Sequence, residues 1–204
     1  MLKRLLCFGF LSMLVAAMPA QAVNLVTNGN FNTGDTSGWW TYIGDPANEA
    51  ISIVNPGGYD STPALEMYNA TGSYSATVGQ TLAITAGMSF TESLVYADSQ
   101  WGGSGITLWF YDVATPSGTW DEHVIGWNWN TIADNWASAG DGTWKSFTSP
   151  VITAPTGTQS VLFKLEQWGW STIDYDNIVV TPEPATMLLL GLGGLALARR
   201  RKSA

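Results

Sequence analysis

The chemistry this sequence can offer lies mostly in tryptophans and carboxylates placed two residues apart. In Ile106-Thr-Leu-Trp-Phe-Tyr111, the apolar Ile106, Leu108 and Phe110 alternate with Thr107, Trp109 and Tyr111. Successive side chains of a strand face opposite ways, so burying the first set turns Trp109 and Tyr111 outward. In Val161-Leu-Phe-Lys-Leu-Glu-Gln-Trp168, Val161, Phe163 and Leu165 suit a core, which leaves Lys164, Glu166 and Trp168 on the other face. Trp127 and Trp129, two apart, face one way. A face that sets flat aromatics beside carboxylate and amide groups suits a sugar, whose C–H faces stack on rings while its hydroxyls take polar partners. Trp109, Tyr111, Trp127, Trp129, Trp168 and Glu166 are the candidates for such a platform. The same aromatics can instead fill a sandwich core or pack beneath loops, and that alternative stays open.

Catalysis has less to work with. His123 is the single histidine, and the single cysteine, Cys7, lies near the N-terminus. A glycoside hydrolase needs two carboxylates across a cleft, and Asp121, Glu122, Glu166 and Asp174 are available. Asp121 and Glu122 are adjacent and point apart on a strand, and no motif singles out a pair. The expectation is a protein that is not an enzyme, with a divergent glycoside hydrolase as the remote alternative.

Strands must position these residues. Alternating runs broken by turn residues fall at 50–54, 64–68, 73–78, 81–85, 88–96, 106–112, 144–148, 160–167 and 171–181, after a short opening strand from Val23. Asn55-Pro-Gly-Gly, Thr115-Pro-Ser-Gly, Ala139-Gly-Asp-Gly and Ala154-Pro-Thr-Gly punctuate them. Many short strands at this spacing, with no helical period between them, predict an all-β fold of sandwich type. The eleven tryptophans all fall between residues 39 and 170. Between 23 and 181, two lysines stand against fifteen carboxylates, a formal charge of −13. That balance repels phosphate backbones and excludes nucleic acid as a partner.

The two ends read as addresses. Met1-Leu-Lys-Arg, the apolar stretch from Leu5 to Ala17 and Ala20-Gln-Ala22 have the order of a secretory signal peptide, residues 1–22, which removes the only cysteine. About 159 residues, 23–181, then form one domain. Residues 182–204 join Pro182-Glu183-Pro184 to an uncharged run, Ala185 to Ala198, and to Arg199, Arg200, Arg201 and Lys202. As a helix the run spans about 21 Å at ~1.5 Å per residue, short of a hydrocarbon core of roughly 30 Å. It predicts a single hydrophobic helix that holds the inner membrane transiently, with the basic cluster on the cytoplasmic side.

This tail closely resembles the PEP-CTERM protein-sorting domain of Gram-negative bacteria. The resemblance implies recognition by an exosortase, a membrane transpeptidase, and delivery to the cell surface or exopolysaccharide matrix. The domain's ends resemble galactose-binding-like jelly rolls of the carbohydrate-binding-module type. Asn24, Leu25, Asn28, Gly29, Phe31 and Gly38-Trp39 match the opening motif, Gly142-Thr-Trp-Lys-Ser-Phe-Thr an internal strand, and Ile173-Asp-Tyr-Asp-Asn-Ile-Val-Val the closing one. The resemblance implies a jelly-roll β-sandwich that binds polysaccharide, with a structural or adhesive matrix protein as the alternative. It also implies a structural Ca²⁺ held by Asp176, by carbonyls of Asn28 and Gly29, and by Asn32, where the family has Glu; Asp174 or Asp35 would supply the missing charge. Turn-forming Asn and Asp that cap their own backbone would account for the same residues.

Overall fold

A computed structural model describes residues 23–70, 76–99, 101–117, 122–134 and 140–183. The signal peptide, the apolar run, Pro184 and the Arg199–Lys202 cluster lie outside them. Among the described residues eleven strands follow one another: β1 (Trp40–Tyr42), β2 (Glu49–Val54), β3 (Ala64–Asn69), β4 (Ala76–Leu82), β5 (Ser89–Asp98), β6 (Gly103–Tyr111), β7 (Val124–Asp134), β8 (Trp144–Thr148), β9 (Ile152–Thr153), β10 (Ser160–Trp168) and β11 (Ser171–Pro182). They form two antiparallel sheets. One has five strands in the order β1-β4-β10-β6-β7, and the other runs β2-β3-β11-β5-β8, with β9 paired beside β5. Among the described residues there is no helix.

The core lies between the sheets and follows the alternation of each strand. Ile106, Leu108, Phe110, Val161, Phe163 and Leu165 meet Leu65, Met67, Phe90, Leu94, Ile173 and Tyr175 from the other sheet. Trp39 of the Gly-Trp pair belongs to this core, stacked on Phe31 at 5.8 Å and edge-on to Phe163 at 6.1 Å.

The opening segment is not a strand. Asn24 ties it to β11 instead, donating to the Ile178 carbonyl at 3.0 Å and accepting from Val180 N–H at 2.9 Å, while Leu25 N–H donates to the Val180 carbonyl at 2.9 Å. Two further expectations change. Of the runs expected at 73–78 and 81–85, residues 73–75 lie outside the described residues, 76–82 form one strand, β4, and 83–85 stand beyond it; Gly79, expected to break the runs, is the bed of the Trp40 ring, which a β-carbon there would approach to 2.5 Å. β7 is a full eleven-residue strand where none was expected.

Candidate functional site

The outer face of the five-stranded sheet carries all six aromatic and acidic candidates. Register places them side by side. Thr107 of β6 lies opposite Lys164 of β10 on one flank and Trp129 of β7 on the other. Trp109 pairs with Leu162 and Trp127, Gly105 with Glu166 and Thr131, and Gly103 with Trp168. Because the inward residues of β6 and β10 are core and β7 follows β6 in register, all these side chains share the opposite face.

Two glycines let the rings lie down on the sheet. A β-carbon at Gly105 would come within 2.7 Å of the Trp129 ring, and one at Gly103 within 2.6 Å of the Trp168 ring. With nothing beneath them, the two indoles settle on the backbone and tilt against each other with centroids 5.0 Å apart. Trp129 Nε1 donates to Thr131 Oγ1 at 3.0 Å, which fixes the ring's rotation. Trp168 is half-buried, whereas Trp129 is 37% and Trp127 66% exposed.

Beside the aromatics sits an ion pair. Lys164 Nζ donates to Glu166 Oε1 at 2.7 Å, and Thr107 Oγ1 donates to Glu166 Oε2. The ammonium also lies 5.3 Å from the centre of the Trp109 ring, so one of the domain's two lysines is held by a carboxylate and an aromatic face together. Lys164 and Glu166 therefore present polar groups with no net charge between them, in a domain that is otherwise strongly acidic.

The expected exposure of Trp109 and Tyr111 does not hold. Alternation turns both away from the sandwich core, but there they join Leu162 in a second buried cluster, 8% and 0% exposed, packed with Trp40, Val113 and Val124. Alternation determines which side of a sheet a residue takes; it carries no information on what other segments lay across that side. Trp40 of β1, Val113 just past β6 and Val124 at the start of β7 do so here.

Sequence reasoning also missed contributors. Tyr42 is 58% exposed and sits across Thr77 from Glu166 on the same face. Trp101 and Trp170 are exposed where β6 begins and β10 ends, the end marked by the Gly103–Trp168 pair. Their signal was only the abundance of tryptophan, since neither stands in an alternating run.

The carboxylates considered for hydrolysis are scattered. Glu166 is engaged as above, and Asp174 lies on the outer face of the other sheet, opposite Glu66 of β3, so the sandwich separates them. Burial, and secondarily Glu66, push Asp174 up to about 6. His123 pairs with Asp112 at 2.9 Å, Glu122 is exposed, and Asp121 lies outside the described residues.

The residues implied for calcium do not fit an ion's cage as they are placed. Asp176 is fully buried, and its carboxylate accepts from Tyr59 N–H at 3.2 Å, Thr62 Oγ1 at 3.1 Å and Asn177 N–H at 2.6 Å. The Gly29 carbonyl accepts from Ile178 N–H, and that of Asn28 from Trp39 Nε1 and Phe31 N–H. The Asn28 amide caps the turn at Asp35 and Ser37, and Asn32 is exposed. Each of these oxygens already accepts an N–H or O–H within the fold, and they are fewer than the six to eight that calcium takes. Asp35, held below the usual carboxylate range chiefly by Ser37 and then Thr33, is spent on its own turn. Among the described residues no three His, Cys, Asp or Glu side chains gather around one point.

Comparison with solved structures gives the fold its class. The sandwich is similar to the enzymatically active domain of bacteriophage CBA120 tailspike protein 4, with a TM-score of 0.55 and 16% identity over 79% of this chain, although the chain spans only 22% of that one. It is similar to TmCBM61, solved with β-1,4-galactotriose, with a TM-score of 0.52 and 17% identity over 79% of this chain and 99% of that one. It is also similar to the CBM22-1 xylan-binding domain of Paenibacillus barcinonensis Xyn10C, with a TM-score of 0.51 and 13% identity over 76% and 91% of the two chains. The architecture is thus the jelly-roll β-sandwich found among carbohydrate-binding modules. By sequence, no curated protein matches the chain.

Residues 180–202 match the PEP-CTERM protein-sorting motif. The chain carries the tail of an exported, surface-sorted protein handled by an exosortase-type system. Of that motif Pro182 and Glu183 are described: Pro182 pairs with Phe90 at the end of β11, and Glu183 N–H donates to the Ser89 carbonyl at 2.8 Å.

Proposed function

We propose that the protein binds carbohydrate on the outer face of its five-stranded sheet, and that the sorting tail delivers this binding domain to the exopolysaccharide outside a Gram-negative cell. The Trp129–Trp168 pair lying on Gly103 and Gly105 carries the reading. Together with Trp127 it offers a broad aromatic surface next to the neutralised Lys164–Glu166 pair, and a neutral glycan takes stacking from the first and hydrogen bonds from the second. Trp109 and Tyr111 lie beside this surface in their own buried cluster and are not contact residues.

The fold neighbours support the same reading, since two of those above are solved with galactotriose or described as xylan-binding. We read the domain as a binding module and not an enzyme, because Glu166 is engaged in an ion pair and Asp174 stands on the opposite face of the sandwich. Residues 1–22 are read as the export signal, 23–181 as the binding domain, and 182–204 as the segment that holds the inner membrane until processing.

Affinity electrophoresis of the full chain through gels containing a panel of polysaccharides tests the reading. At least one glycan is expected to retard the wild type. Trp129→Ala or Trp168→Ala is expected to weaken that binding by about tenfold or more, on the scale of a lost aromatic anchor. Absence of retardation by every glycan would favour a structural matrix protein, and retardation that survives both substitutions would move the site elsewhere.

A further inference from the structure

A second binding site lies at the edge of the sandwich, away from the outer face. β7 ends the five-stranded sheet, and β8 and β9 flank β5 on the corresponding side of the other. Between these edges opens a cleft of about 310 Å³, at the lower end of the roughly 300–1,000 Å³ typical of small-molecule sites. Phe110, Val151 and Pro155 supply apolar walls, Trp127 stands at the cleft and on the outer face alike, and Asn128 and Asn130 supply the polar lining.

These two asparagines stand on the inward side of β7, where the other strands of the sheet carry core residues. Asn130 Nδ2 donates to Asn128 Oδ1 at 3.1 Å and to Glu92 Oε2 at 2.9 Å. Glu92 projects from β5 between the sheets and is 1% exposed, and its second oxygen, Oε1, is buried with no hydrogen-bond partner. A buried carboxyl with an idle oxygen is costly to a fold that uses it only for packing. Here it anchors the carboxamides that line an open cleft.

Among the described residues no cation lines the cleft. Burial pushes Glu92 up to about 8 despite its bond from Asn130, so at neutral pH the carboxyl behind the lining is protonated and brings no charge. Carboxamides offer donors and acceptors together, and the walls offer apolar contact. That combination fits a hydroxylated, uncharged ring and disfavours phosphates, carboxylates and amines.

We propose that the cleft between the β7 and β9 edges is a second sugar subsite that takes one neutral pyranose residue, a chain end or side branch, through Asn128 and Asn130. The proposal rests on the carbohydrate reading of the outer face, and Trp127, common to both places, lets one glycan occupy the two at once.

Saturation-transfer NMR on the full chain, with glucose, galactose, xylose and N-acetylglucosamine as separate probes, tests it. At least one sugar is expected to receive saturation. That signal is expected to persist in Trp129→Ala, whose outer face has lost its platform, and to correspond to binding about fivefold weaker or worse when Asn128→Ala is added to that variant, the loss of one to two hydrogen bonds. If Asn128→Ala fails to fold, Asn128→Leu removes the amide at similar volume and is read in the same way. A signal that survives loss of the Asn128 amide, or that Trp129→Ala abolishes, overturns the cleft. Absence of saturation from all four sugars also overturns it. In that case retardation by a polysaccharide, lost in Trp129→Ala, would leave the outer face standing alone, whereas absence of retardation would remove the outer face independently.

Discussion

Glu92 shows how one residue can tie stability to pH in this fold. Its carboxyl, ordinarily near 4.5, is raised to about 8 by burial between the sheets. Between those two values the folded protein keeps a proton that the unfolded chain has released. Stability therefore falls as pH rises through this window, by at most about 1.4 kcal/mol per pH unit. Asp174, raised to about 6 on the outer face of the other sheet, acts in the same sense but only up to its own lower value. Glu92→Gln keeps the shape and the bond to Asn130 while removing the titration. Thermal midpoints measured from pH 5 to pH 9 are expected to drop by several degrees for the wild type between pH 6 and pH 8, and to stay nearly level for Glu92→Gln. A wild-type midpoint that does not move in that interval would mean the carboxyl is already ionised or solvated in the fold.

At the scale of the strand, the platform depends on what is missing from β6. Gly105 and Gly103 leave room for two indoles that no larger residue would admit, and a β-carbon at Gly105 would also stand 2.8 Å from the Asn130 carbonyl of β7. Gly105→Ala is expected to cost about 1–3 kcal/mol, as overpacking does, and to abolish glycan retardation by lifting Trp129. Gly126→Ala on β7 is the control: its nearest neighbour would be Pro155 at 3.5 Å, ordinary contact, so denaturant midpoint and retardation should both stay near wild type. The strands also show what could be read beforehand. β8 was legible to the residue, and β3, β10 and β11 nearly so, because each alternates apolar with polar residues over a buried face. β7 was not, since its inward residues are Asn128, Asn130 and Gly126 and its tryptophans point out, the reverse of the usual pattern. Gly79 resembled a turn because glycine permits both a turn and a ring laid on the backbone, and a sequence does not distinguish them. The face on which Trp109 and Tyr111 fall was legible from alternation; their burial depended on Trp40, some seventy residues earlier, which no local pattern connects to them.

For the whole molecule, the binding domain and the sorting signal turn out to share residues. The motif begins at residue 180, yet β11 continues to Pro182. Val180, Thr181 and Pro182 lie opposite Glu92, Thr91 and Phe90 of β5, and Glu183 N–H is bonded to Ser89. Read from sequence, the domain ends at residue 181 and the sorting segment begins at 182; in the fold no spacer separates the sandwich from Pro182 and Glu183. An enzyme that takes this segment as an extended peptide must first peel it from β5, which breaks one or two backbone bonds worth roughly 0.5–1.5 kcal/mol each. Folding and processing are thereby coupled, since only a domain whose last strand can open at its end releases the motif. A short Gly-Ser insertion between Val180 and Thr181 leaves the buried Val180 in place and frees Thr181 to Glu183. Pulse–chase labelling in the native host is expected to show processing several-fold faster for that variant, in line with the more populated open end. Equal rates for the two proteins would mean that the pairing with Phe90 and Ser89 opens faster than the sorting enzyme acts, and that the fold imposes no gate on sorting.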